Sequence, residues 1–96
     1  MEYLIRCADG DWFDLRADQY AAVLRPSSMP SRRIEGWGEH RIEVAGVEVG
    51  FSSEDPGIQV VLEGELPEAV ADQILVEILA NITAATGQPG RVVRIT

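Results

Sequence analysis

Apolar residues recur along this chain with two periods, and each period marks a different kind of element. Over Glu2 to Ala8, Tyr3, Ile5 and Cys7 alternate with Leu4 and Arg6, a period of two that predicts a strand. Asp9-Gly10 follows, and both residues tolerate positive φ, so a type I′ hairpin returning through Trp12 to Leu15 is expected. Ala17 to Leu24 reads as a short helix with Tyr20, Val23 and Leu24 on one side. It must stop before Pro26, whose ring and missing N–H oppose another turn. Arg25 to Arg33, with two Pro and three Ser, reads as loop, and Ile34 to Trp37 as a short strand interrupted by Gly36 and Gly38.

The clearest alternation comes next. Ile42, Val44, Val47, Val49 and Phe51 flank Ala45-Gly46, and a two-residue turn there places all five on one face. Ser53 to Gly57 predicts another turn, and Ile58 to Glu63 a strand with Ile58, Val60 and Leu62 inward. After Pro67, which suits a first helical position, the period lengthens to that of a helix. Val70, Ala71, Ile74, Leu75, Ile78, Leu79, Ile82 and Ala85 then share about half the circumference, the wide arc of a helix lying on a sheet. Glu65 and Glu68 suit the positive end of its dipole, Gly87 a left-handed C-terminal cap, and Arg91 to Ile95 a closing strand.

These elements define one α+β domain over residues 1–96. Its mainly antiparallel sheet has about five to seven strands, with one short helix and one long C-terminal helix packed on one face, in the order β-β-α-β-β-β-α-β. The last three elements form a β-α-β unit, whose crossover is expected to be right-handed if its strands are parallel.

Composition narrows the function classes. Sixteen Asp and Glu against eight Arg and no Lys give a net charge of −8. That balance opposes nucleic acid and anionic lipid, which need a positive surface, and favours a basic protein partner. Charge-free runs fall short of the ~20 apolar residues of a membrane span, the N-terminus lacks the pattern of a signal peptide, and Cys7 is the only cysteine. A cytoplasmic, disulfide-free protein that does not enter membranes is the expectation.

The opposite side of the long helix carries Ala69, Val76, Ala80 and Thr83 within about 60° of one another. The plain reading is a solvated face that tolerates small residues; the functional reading is a self-association surface where small side chains admit a second helix. Glu43 falls directly across from Glu48, a spacing used in acid–base and hard-metal chemistry, but no His, Asn or glycine-rich loop accompanies the pair, and solvated carboxylates explain it better. Asp9 to Asp14 resembles a calcium loop only superficially, since the sixth position is Asp14 and the twelfth Tyr20, where the motif needs Gly and Glu. Cys7 and His40 are the sole thiol and imidazole, with Cys7 on an inward face where it serves as a small hydrophobe and His40 expected in solvent, in a charged, glycine-flanked segment between strands. Arg32 and Arg33 near Trp37 form a local basic spot, for which a solvated loop is the simpler reading, and Gly36-x-Gly38 lacks the third glycine of a dinucleotide site.

No catalytic residue, metal ligand or cofactor follows from these patterns. The expectation is a non-enzymatic acidic interaction protein, self-associating or bound to a basic partner in the manner of an inhibitor or immunity protein. The alternative is a small-molecule binder or minor enzyme with an aromatic pocket lined by Trp12, Tyr20 and Trp37. A third possibility, nucleic-acid mimicry by an acidic sheet face, requires the carboxylates to be concentrated on one side.

Overall fold

A computed structural model describes residues 1–54 and 57–96. The strands are β1 (Glu2–Cys7), β2 (Ser31–Arg33), β3 (His40–Val44), β4 (Val47–Glu54), β5 (Gly57–Glu63) and β6 (Gly90–Arg94). A 3-10 turn (Ala17–Gln19) leads into the short helix α1 (Tyr20–Val23), and the long helix α2 (Glu68–Thr86) joins β5 to β6. All six strands form one antiparallel sheet in the order β2-β3-β4-β5-β1-β6. The expected α+β architecture is therefore present. Because β1 is antiparallel to both neighbours, β5 and β6 run in the same direction with β1 between them.

The Ala45-Gly46 turn forms as its sequence predicts. Val44 pairs with Val47, Glu43 with Glu48 and Ile42 with Val49, and the turn residues have φ of 53° and 79°. Ile42, Val44, Val47, Val49 and Phe51 are all buried on the inner face. Ile58, Val60 and Leu62 of β5 and Tyr3, Ile5 and Cys7 of β1 continue that face. Of the turn expected at Ser53 to Gly57, Ser53, Glu54 and Gly57 belong to strands, and Asp55 and Pro56 lie outside the described residues.

Helix α2 lays Ala71, Ile74, Leu75, Ile78 and Ile82 on this face, all fully buried. Each of the four large aliphatic side chains contributes on the order of 1.5–3 kcal/mol by leaving water. The buried stripe is narrower than expected: Val70 and Leu79 are half-buried at its margins and Ala85 is exposed. Pro67 stands one position earlier than a first helical residue, as the N-cap, and its carbonyl accepts the N–H groups of Val70 and Ala71. Gly87 closes the helix at φ 74°, donating its N–H to Thr83 O at 2.8 Å. By length and composition α2 is apolar enough to cross a bilayer, which the charge-free runs had not suggested; in this fold its apolar stripe is the core.

Two strand expectations are corrected. Trp12 to Leu15 is not a strand, because both edges of β1 are occupied by β5 and β6. The segment instead crosses the end of the core with Phe13 buried. The Gln88 side chain satisfies its backbone, accepting from Asp14 N at 2.6 Å and donating to Trp12 O at 3.2 Å. Nor is Ile34 to Trp37 a strand. The strand on that edge is Ser31–Arg33, drawn from the expected loop, and the chain leaves the sheet after Ile34.

The remainder of the Pro/Ser loop is pinned to α2. Ser28 N and Oγ donate to Glu77, Ser27 Oγ to Asn81, and Asn81 Nδ2 to Arg25 O, while Pro26 is buried.

Ala45 adopts a left-handed conformation that disfavours a side chain with an unadorned Cβ. Ala45→Asn should raise stability by about 0.5–1 kcal/mol, since Asn tolerates this φ in a type I′ turn. Urea denaturation checks this; a lower midpoint would contradict the turn assignment.

Candidate functional site

Strand alternation places Arg41 and Glu43 on the outer face of the sheet, opposite α2, together with Glu48 and Gly50 of β4 and Glu63 of β5. A residue there should be wet, yet Arg41 is 5% exposed. Its cover is the Gly36-Trp37-Gly38 segment. Ile34 N donates to Arg41 O and Glu39 N to Phe51 O, so the intervening residues arch outward and fold back over the sheet. Beneath the arch, Gly50 provides the space: a Cβ there would lie 2.9 Å from both Arg41 Nη1 and Trp37 Cε3.

Arg41 Nε donates to Glu48 Oε1 at 2.9 Å, and Nη2 forms ion pairs with the carboxylates of Glu48 and Glu63. Burial works against the guanidinium charge, but its hydrogen bonds to Glu48 and Glu63, with their charges, outweigh it and raise the Arg41 pKa. Only Arg41 is buried and both carboxylates stay half in solvent, so each pairing is worth less than a fully buried one, but together they neutralise the covered guanidinium at the base of the arch. Trp37 sits on that base with 51% of its surface exposed. Glu48 and Glu63 keep about half of their side-chain surface in solvent (49% and 59%).

The expected juxtaposition of Glu43 and Glu48 is real, but neither carboxylate lacks a cation. Arg32 Nε binds Glu43 at 3.0 Å from the neighbouring strand, while Arg41 holds Glu48. Along this row, Arg32, Glu43, Glu48, Arg41 and Glu63 amount to three carboxylates and two guanidiniums.

The three aromatic residues expected to line one pocket are divided. Trp12 and Tyr20 border a small cavity of about 30 Å³ on the inner side, far below the ~300–1,000 Å³ of a ligand pocket. Trp37 lies across the sheet, over Gly50. Among the described residues, the cavity that Trp12 and Tyr20 share does not include Trp37. On α2, Ala69, Val76 and Ala80 are exposed, Val76 at 62%, and Thr83 is half-buried.

Cys7 and His40 are far apart, on strands separated by β5 and β4, which puts roughly 14 Å of sheet between them. Cys7 is buried, and Asp9 raises its thiol pKa, which disfavours thiolate chemistry. In the Asp9 to Asp14 segment, Asp9 Oδ1 accepts Asp11 N at 2.9 Å, a local turn bond. Among the described residues, no group of three His, Cys, Asp or Glu is arranged to hold a metal ion.

The expectation that His40 lies in solvent is corrected. The residue is 4% exposed on the inner face, edge-on to Tyr20 with centroids 6.1 Å apart, and its Nε2 has no hydrogen-bond partner among the described residues. Alternation with Ile42 and Val44 was the available signal; Gly38-Glu39 before it obscured the strand start.

Burial, and then the nearby Arg33 charge, lower the His40 pKa from 6.5. The folded protein therefore takes up this proton at lower pH than the unfolded chain does. Stability associated with the neutral ring is fully present above pH 6.5 and is lost as pH falls through the folded pKa. As His40 is the only histidine, urea unfolding followed from about pH 7.5 to about pH 5 should show stability falling, and His40→Gln should flatten that slope. Equal slopes in both proteins would contradict the assignment.

Comparison with protein-family models, with curated proteins and with solved structures finds no match to this chain.

Proposed function

We propose that this chain is a non-enzymatic interaction module that binds a basic protein partner through the outer face of its sheet, with Trp37 as the anchor. The observation that carries this reading is the half-exposed Trp37 ring over Gly50, beside buried Arg41 and the half-exposed carboxylates of Glu48 and Glu63. Tryptophan is enriched among residues that dominate interfaces. The carboxylates beside it attract a cationic side chain, which can then stack on the indole face. A net charge of −8 favours a basic partner over a second copy of the same acidic chain. An inhibitor- or immunity-type role is the concrete form such a module would take in the cytoplasm.

An arginine- and lysine-rich peptide is the direct probe. At low salt it should quench tryptophan fluorescence saturably. Trp37→Ala should weaken binding by roughly tenfold or more, as expected for an interface anchor, while Trp12→Ala leaves it intact. A response carried by Trp12, or none that saturates, would defeat the reading.

A second reading, self-association through Ala69, Val76, Ala80 and Thr83, is supported by the 62% exposure of Val76 on the uncovered side of α2. Under it, light scattering should show an oligomer that Val76→Arg converts to a monomer; an unchanged mass would exclude this stripe as the contact.

A further inference from the structure

The groove between α1 and the β2–β3 edge joins Arg25 to the adjacent pair Arg32 and Arg33, with Asp18 and Glu39 lining its wider end. Two adjoining cavities, of about 540 Å³ and about 190 Å³, share Ala21, Arg33 and His40 in their walls. The smaller is bordered by Arg25, Arg32 and Arg33, three of the eight cations in a protein of net charge −8, and by no carboxylate. Arg32 is engaged with Glu43 on the outer face. Among the described residues, neither Arg25 nor Arg33 has an acidic partner within 4.0 Å. In so acidic a chain, arginines without carboxylate partners meeting at one concavity point to an anionic ligand.

The surroundings fix the geometry. Arg25 is held by the bond from Asn81 Nδ2 to its carbonyl and by buried Pro26 beside it. Arg33 pairs with Ile42 in the sheet, which directs its side chain to the inner face. The His40 ring forms part of the wall, so its resonances report on what occupies the groove. The smaller cavity, about 190 Å³, far exceeds the ~10–15 Å³ that a single water needs, enough for an oxyanion with a short substituent.

We propose that this groove binds a small oxyanion-bearing molecule, a carboxylate or a phosphate, on the guanidiniums of Arg25 and Arg33. Planar guanidinium donors match both groups, and bonds between two charged partners are the strong kind. The protein's overall negative field does not prevent this, because exposed charges farther off than about 8–10 Å are screened at ordinary ionic strength. The site lies on the opposite face of the sheet from Trp37, and its occupancy is independent of the peptide-binding reading.

The single histidine supplies the readout. The ring C–H resonances of His40 can be followed by two-dimensional NMR while inorganic phosphate, succinate or sodium chloride is added at low ionic strength. A saturable shift with phosphate, with succinate or with both is expected, and none with chloride; the active probe identifies the anion class. Arg33→Gln and Arg25→Gln should each weaken binding by roughly tenfold or more, the scale of a lost charge-assisted hydrogen bond, whereas Arg91→Gln on the outer face should not. Arg33 and Arg25 are exposed, so both variants should fold, and unchanged amide spectra elsewhere confirm it. A response that grows linearly without saturation, equals that of chloride, or survives in both arginine variants overturns the proposal.

Discussion

Everything in this molecule depends on α2 pressing an aliphatic stripe against a sheet whose centre would otherwise be wet. Ile74, Leu75, Ile78 and Ile82 have no exposure, and they meet the inward residues of β1, β4 and β5. The same helix carries the chain from β5 across β1 to β6, so β1 becomes an interior strand bonded on both sides. Packing and topology are therefore one constraint. The crossover that lets β6 reach the far side of β1 is also the layer that covers it.

One helix covers one face only, and the outer face must handle its charges another way. It does so with two guanidiniums set against three neighbouring carboxylates and with a backbone arch that dries one of the two arginines. Burying Arg41 beneath Trp37 is costly in isolation and tolerable because Glu48 and Glu63 supply hydrogen bonds as well as charge. A tryptophan held above the surface is the by-product, and the peptide-binding reading rests on it.

The inner side shows the complementary arrangement. There α1 and the pinned Pro/Ser loop leave a groove beside His40 where arginines lack carboxylate partners. The two faces thus differ in local charge despite the strongly acidic total. Net charge describes what approaches the molecule from a distance; the placement of eight arginines decides what each concavity accepts.

The sequence by itself determined the elements whose causes are local. The Ala45-Gly46 turn sets the register of β3 on β4, because a two-residue loop leaves one pairing for alternating apolar residues. The Pro67 and Gly87 boundaries and the buried stripe of α2 follow from capping chemistry and a period of 3.6 residues. Only the tertiary structure decided the rest. Trp12 to Leu15 carries strand-forming residues, but β5 and β6 arrive from distant parts of the chain and take both edges of β1. The Glu43 and Glu48 pairing was legible, whereas its neutralisation by Arg32 and Arg41 was not, since one cation comes from a strand hidden in a loop-like segment and the other is held by Glu63 and the Trp37 arch. Turns and helix periods are settled by neighbours a few residues apart; the burial of a charge depends on whichever remote segment covers it.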